Sequence, residues 1–209
     1  MTFITVEGCE GAGKTTLIER LEQQIRSEGR SVLRTREPGG TKLGEEVRAI
    51  LLQNGSIDPH AELCLFLASR AQHLKEVIQP ALDAGTIVIC DRFNDSTIAY
   101  QGAARNLGIE SVAFTCDFIC QGVKPDLTLL LDVDPLAGLL RIQQRRTQDR
   151  IESEELRFHV KIREAYLTLA RKEPQRIYRI DAAQSLDQVY EEGWKMVQQT
   201  LAKSSIVLG

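Results

Sequence analysis

The chain has little that would place it outside the cell, in a membrane or on a nucleic acid. No apolar run approaches the roughly 20 residues that a membrane-spanning helix needs. The opening Met1-Thr2-Phe3-Ile4-Thr5-Val6-Glu7 has no basic stretch ahead of its apolar residues. It therefore reads as a core strand and not as a signal peptide. Charge of neither sign dominates: 26 Lys and Arg face 29 Asp and Glu, for a net charge of −3. That balance argues against a general nucleic-acid or anionic-membrane partner. The five cysteines (Cys9, Cys64, Cys90, Cys116 and Cys120) contain no C-x-x-C pair. An odd number without a secretion signal predicts reduced, mostly buried thiols in a cytoplasmic protein. Cys116 and Cys120 stand four apart on a predicted helix, but no nearby His or Cys completes a zinc set. Internal repeats, low-complexity tracts and linkers are also missing. With 209 residues, 43% of them hydrophobic, the expectation is one compact domain spanning 1–209.

What the chain does have is Gly8-Cys9-Glu10-Gly11-Ala12-Gly13-Lys14-Thr15, set between an apolar β-type run and a helical pattern. It fits the phosphate-binding loop G-x-x-x-x-G-K-[ST] at every specified position. Glycines let the backbone curl so that successive N–H groups face phosphate oxygens. Lys14 adds a point charge, Thr15 a hydroxyl suited to Mg²⁺, and the following helix its positive dipole end. Cys9, Glu10, Ala12 and Thr16 complete the stretch expected around a bound nucleotide.

Strand and helix patterns alternate through the rest of the chain. Helices are predicted over 15–28, 41–53, 61–84 (with Pro80 as a kink or junction), 95–101, 109–121, 135–146, 154–171 and 185–203. Strands are predicted over 3–6, 31–35, 86–90, 127–133 and 176–181, and 204–209 reads as a frayed tail. Five strands alternating with helices predict an α/β fold with a mainly parallel sheet covered on both faces. The polar, basic stretch around 145–151 is expected to be a mobile lid, within about 143–154.

Ligands in such folds bind beyond the carboxyl ends of the strands. There the predicted strands deliver the loop, Arg36 and Glu37, Asp91 and Arg92, and Asp132 and Asp134. Asp91 and Asp132 both suit Mg²⁺ placement, and each could instead cap the next helix. Arg36 and Arg92 suit phosphates in flight, and the basic lid could bring a further arginine down over a nucleotide. Arg141 reads as a surface residue. Phe66 and Arg70 share a helix face and could stack on a base and bond its edge, although a core Phe with an exposed Arg is the simpler reading of the spacing. A GTPase-type switch is disfavoured, because Thr41-Lys42 continues as Leu43-Gly44 and not into an Asn/Thr-Lys-x-Asp element.

Taken together, Val6-Glu7-Gly8, Thr35 to Thr41, Phe66 to Arg70, Asp91-Arg92-Phe93, Ser96 to Gln101, Pro125 to Thr128, Leu131-Asp132-Val133 and Asp149 to Glu152 resemble the thymidylate kinases. The resemblance runs from residue 3 to about 181. It implies a P-loop kinase of three α/β/α layers that uses ATP and Mg²⁺ to convert dTMP to dTDP, commonly as a homodimer. By that resemblance Lys14 and the loop hold the ATP phosphates, while Thr15 and Asp91 serve the metal. Arg36 and Arg92 take the dTMP phosphate, Phe66 stacks on thymine and Arg70 bonds its exocyclic oxygen. Ser96, Thr97 and Gln101 fall in the base-contacting stretch, Tyr100 against the sugar, and Glu10 at the sugar 3′-hydroxyl. Glu37-Pro38 resembles the family's cis-proline turn. Gly11 stands where some members carry a catalytic arginine, so the lid is expected to supply it: Arg150 first, then Arg145 or Arg146. Phe93 departs from the Tyr or His often found there. A kinase acting on another small acceptor is the alternative.

Overall fold

The strand expectations hold in type and order. β1 (Phe3–Gly8), β2 (Val32–Arg36), β3 (Ile87–Asp91), β4 (Leu127–Asp132) and β5 (Ile177–Asp181) form one sheet in the order β2-β3-β1-β4-β5. Every pairing is parallel, so the sheet is wholly and not just mainly parallel. β1 and β4 are buried at every residue, so their polar Thr5, Glu7, Thr128 and Asp132 lie inside along with the apolar residues between them. The computed structural model describes residues 1–53, 55–143 and 149–206.

Nine α-helices cover the sheet among the described residues: α1 (Lys14–Ser27), α2 (Lys42–Gln53), α3 (Pro59–His73), α4 (Gln79–Asp83), α5 (Asn94–Thr97), α6 (Ile109–Cys120), α7 (Pro135–Gln143), α8 (Leu156–Lys172) and α9 (Leu186–Ile206). α1 and α9 pack together over one face. Gly193 lets α9 come down against Leu17, Leu129 and Ile180, where an added Cβ would lie 3.2 Å from a Leu17 methyl. On the opposite face Thr128, the next residue along β4, bonds Asp95 of α5, and α3, α6 and α8 build outward from there.

Two helices differ from the sequence pattern. The predicted 61–84 helix is α3, a π-helical turn over Leu74–Ile78, and α4. Pro80 sits at the first turn of α4, where its missing N–H costs nothing, so the wide turn is the junction the proline requires. The predicted 95–101 helix is the four-residue α5 running into a π-helical stretch over Ile98–Ala104. π-turns concentrate at functional sites, and this one carries Tyr100 and Gln101. α9 continues to Ile206, so the expected frayed tail is helical over its first residues. All five cysteines are free and four are buried, with Cys64 the exposed exception.

β1 is the central strand and pairs with both β3 and β4. The chain therefore reverses its direction of travel across the sheet at β1, and a crevice opens beyond the carboxyl ends of these three strands.

Candidate active site

The loop after β1 has the form its sequence predicts. Gly13 takes a left-handed φ of 92°, and α1 begins at Lys14 without a side-chain cap or an acidic residue in its first turn. Its first N–H groups are left for an anion. Gly8 and Cys9 lie beneath this surface and not in the cleft wall: their carbonyl oxygens accept from Lys14 Nζ at 3.0 and 3.1 Å. Burial and the neighbouring Arg92 lower the Lys14 pKa. Gly11 backs directly onto Gly138 of α7, and a Cβ on either would collide with the other segment's backbone carbonyl. An arginine at position 11 has no room in this packing.

A cleft of ≈ 250 Å³ opens in front of the loop, lined by Glu10, Gly11, Ala12, Gly13, Lys14, Thr15 and Thr16 on one side. Arg36, Phe66, Arg70, Asp91, Arg92, Ser96, Thr97, Tyr100 and Gln101 line the rest. These residues come from β2, α3, β3 and the α5–π segment, and the fold brings them to one place. At its centre Arg92, with a left-handed φ of 68°, donates to both Glu10 oxygens at 2.8 and 2.9 Å. Tyr100 donates to the same carboxylate at 2.7 Å. Burial works against the Glu10 charge, but Arg92, Lys14 and Tyr100 outweigh it and hold the carboxyl down to about 2.

The turn that holds Arg92 is built on Glu7, a fully buried carboxyl at the end of β1. It accepts from Phe93 N at 2.7 Å, Ser96 Oγ at 2.6 Å and Tyr166 Oη at 2.9 Å. Arg92 in turn donates to Ser96 and Tyr166 at 3.2 and 3.3 Å. Burial, helped by Asp95, pushes the Glu7 carboxyl up to about 7 despite these donors.

At the far end of the cleft Arg70 is almost wholly buried, against the reading of an exposed arginine. It donates to Glu37 at 2.7 Å and to Thr97 at 2.9 Å, and lies 5.0 Å from the centre of the Phe93 ring. Phe93 itself packs edge-on against Phe3, so the apolar ring is a core residue with one face under the arginine. Glu37 also bonds His73, and the Glu37–Pro38 peptide is cis. Arg36 is half exposed and pairs with Glu45 at 2.8 Å.

The two metal candidates separate clearly. Asp132 is held by Arg163 at 2.7 Å and Arg179 at 2.6 Å, and it does not line the cleft. Asp91 does, and its Oδ1 is buried with no hydrogen-bond partner among the described residues. A carboxylate oxygen left without a proton donor, in a cleft that Thr15 also lines, fits a hard divalent cation.

Of the expected lid arginines, Arg145 and Arg146 lie outside the described residues. Arg150 does not line the cleft: it donates to Leu51 O at 2.9 Å and to Glu62 at 2.5 Å. Asp149 and Glu152, on either side of it, do line the cleft. The sequence reading missed Arg48, which lines the cleft from α2 and donates to Pro38 O at 3.0 Å. It missed Glu62 too, and it counted Arg105 only as one of the chain's many arginines, without a role. Nothing in a helical charge pattern says which exposed-looking residue will be covered by a neighbouring helix. Arg141, read as a surface residue, donates to Gly11 O and Ala182 O. It borders a second pocket of ≈ 490 Å³ behind the loop.

The sequence profile of the thymidylate kinases matches residues 6–192. The thymidylate kinase of Protochlamydia amoebophila is 50% identical over 214 aligned positions, covering 98% of this chain and 95% of that one. That of Halalkalibacterium halodurans is 48% identical, covering 96% and 97%. The crystal structure of the thymidylate kinase from Ehrlichia chaffeensis superposes with a TM-score of 0.77 at 35% identity, over 94% of this chain and 98% of that one. A match of this depth along nearly the whole length, on the fold and cleft described above, means that the chain belongs to the thymidylate kinase family.

Proposed function

We propose that the protein transfers the γ-phosphoryl group of ATP to the phosphate of dTMP, giving ADP and dTDP. The observation that carries this reading is a single cleft that joins an anion-binding helix start to a fixed arginine, Arg92, and then to walls formed by Phe66, Arg70, Thr97 and Gln101. The loop N–H groups and Lys14 seat the ATP phosphates. The pocket bordered by Arg141, Arg20, Gln184 and Leu186 takes the ATP base. Arg92 and Arg36 hold the dTMP phosphate, Phe66 stacks on its base, Arg70 with Thr97 meets its edge, and Ser96 keeps Arg92 aimed. Tyr100 lies against the sugar, with Glu10 at its 3′-hydroxyl.

Thr15 and Asp91 would hold Mg²⁺, which would supply neutralisation of phosphate charge. The acceptor is already an anion, so no general base is required. Catalysis is positioning plus cations around the phosphoryl group in flight, which carries its charge on three equatorial oxygens. The segment around 143–154 acts as the lid of the 1–209 domain, and Arg150 leaves Glu62 to reach the phosphates when it closes. Arg145 and Arg146 belong to the same segment.

Two further features accompany this reading. Phe114 and Phe118, one turn apart on α6, are 75% and 73% exposed, and a second copy of the chain would cover them in a homodimer. A Phe114→Ser, Phe118→Ser chain should sediment as a monomer; a wild-type monomer at micromolar concentration would refute the dimer. Free, largely buried thiols fit a reducing cytoplasm.

The function is tested by a coupled assay with ATP and a panel of nucleoside monophosphates. Turnover should be highest with dTMP. Turnover of dCMP or UMP far above dTMP would assign another acceptor.

A further inference from the structure

Glu62 is a fully buried carboxylate on α3 whose only part so far is as the resting partner of Arg150. It faces donors on both oxygens. Oε1 accepts from Gln101 Nε2 at 2.8 Å and from Arg105 Nε at 3.2 Å. Oε2 accepts from Arg105 at 3.3 Å and from Arg150 at 2.5 Å. Burial opposes its charge, yet the bonds from Gln101, Arg150 and Arg105 lower its pKa below the ordinary value. It is an ionised acceptor with nothing to donate.

That has a consequence for Gln101, which is 1% exposed and lines the cleft. An amide end facing a carboxylate must be the NH₂ end, because two oxygens would repel. The carbonyl end, Oε1, accepts no bond from any described residue. It is also not among the buried unpartnered atoms. The wall of the cleft that Thr97 and Arg70 also line thus presents a carbonyl oxygen with an open lone pair, a hydrogen-bond acceptor.

We propose that Glu62 is a specificity-determining positioning residue: it locks the Gln101 amide so that the cleft offers an acceptor to the ring N3–H of thymine or uracil and rejects cytosine. Cytosine has a bare N3 lone pair at the same place. Against the Gln101 carbonyl it would set acceptor against acceptor and leave a buried polar group unpaired, the type of mismatch that discriminates most strongly. The inference rests on the dTMP-binding reading of the cleft. It concerns the helix behind the base-contacting residue and involves no contact between Glu62 and substrate.

Glu62→Gln tests it by reversing polarity. The new carbonyl can serve the two arginines, while its NH₂ faces Gln101. The Gln101 amide then turns over and offers NH₂ to the cleft. Calorimetric titration of the full chain with dTMP, dUMP and dCMP reads binding without needing the lid arginine. Relative to wild type, dTMP and dUMP should weaken together, and the dTMP-to-dCMP affinity ratio should fall by roughly ten- to a hundred-fold. An equal loss for all three nucleotides, or an unchanged ratio, overturns the proposal and leaves Glu62 a structural anchor. A double-mutant cycle with Gln101→Met gives a second reading: on that background Glu62→Gln should not change the ratio further, and a further change refutes the route through Gln101. If Glu62→Gln does not melt cooperatively, Gln101→Met alone must lower dTMP affinity and erase the preference over dCMP, and a retained preference overturns the proposal. Wild-type protein that binds no pyrimidine monophosphate would instead overturn the functional reading on which this one stands.

Discussion

Replacing Glu10 with Gln keeps the shape of the side chain and removes its charge from the centre of the cleft. Glu10 and Arg92 are 16% and 17% exposed at the side chain, so solvent screens the pair only slightly. The carboxyl is held from 4.5 down to about 2 by Arg92, Lys14 and Tyr100 acting against burial. A shift of that size, at about 1.4 kcal/mol per pKa unit, corresponds to about 3 kcal/mol of preference for the ionised form. A glutamine retains one carbonyl acceptor, so the expected loss is about 2–3 kcal/mol at pH 7. The sign follows from the direction of the shift. The folded pKa lies below the unfolded one, so the contribution is complete above about pH 4.5 and is lost as pH falls through about 2. By pH 3 the advantage of wild type over Glu10→Gln should shrink to about 1 kcal/mol. Urea denaturation of both proteins at pH 7, 5 and 3 measures this directly. A difference at pH 7 below about 0.5 kcal/mol, or one that does not shrink on acidification, would refute the electrostatic assignment.

Other perturbations probe other parts of the cleft. Arg150→Ala should lower the single-turnover rate by orders of magnitude while leaving dTMP affinity largely intact, and a near-normal rate would remove Arg150 from the transfer step. The Glu7 carboxyl is raised to about 7, so its favourable contribution is complete below about pH 4.5 and is lost as pH rises through about 7. Wild-type stability should therefore carry a decline on the order of 2–3 kcal/mol between pH 5 and pH 8 that Glu7→Gln lacks, and equal slopes in the two proteins would contradict it. Gly138→Ala places a methyl against the Glu10 carbonyl and 3.4 Å from Val133. α7 must then back away from the loop, at an expected cost of about 1–3 kcal/mol in stability and with weaker ADP binding. Unchanged melting and titration would show that α7 yields freely.

How much of this was legible beforehand depends on the kind of information each feature needs. β3 and β4 announced themselves because strands buried on both faces are rich in apolar residues. The loop announced itself because its glycines, Lys14 and Thr15 are required by local backbone geometry. Asp91 and Asp132 looked alike because each simply ends an apolar strand. Only the tertiary partners, Arg163 and Arg179 on Asp132 and none among the described residues on Asp91 Oδ1, tell them apart. Arg70 looked exposed from its spacing, yet Glu37 and Thr97 bury it, and those residues are 33 and 27 positions away. The π-turns at Leu74–Ile78 and Ile98–Ala104 have no periodic signature over so few residues, although Pro80 marked the first. Arg48 and Glu62 carried no signal at all, because a charged residue on an amphipathic helix reads the same whether water or another helix covers it. The explanation for Gly11 was also structural. The residue type was visible, but its contact with Gly138 was not.

The most direct test of direct transfer to dTMP is a rapid-quench single turnover with γ-labelled ATP and excess dTMP. Label should pass from ATP to dTDP in one phase, with no labelled protein at any time. Labelled protein that forms and decays at the turnover rate, or consumption of ATP without labelled dTDP, would contradict the account.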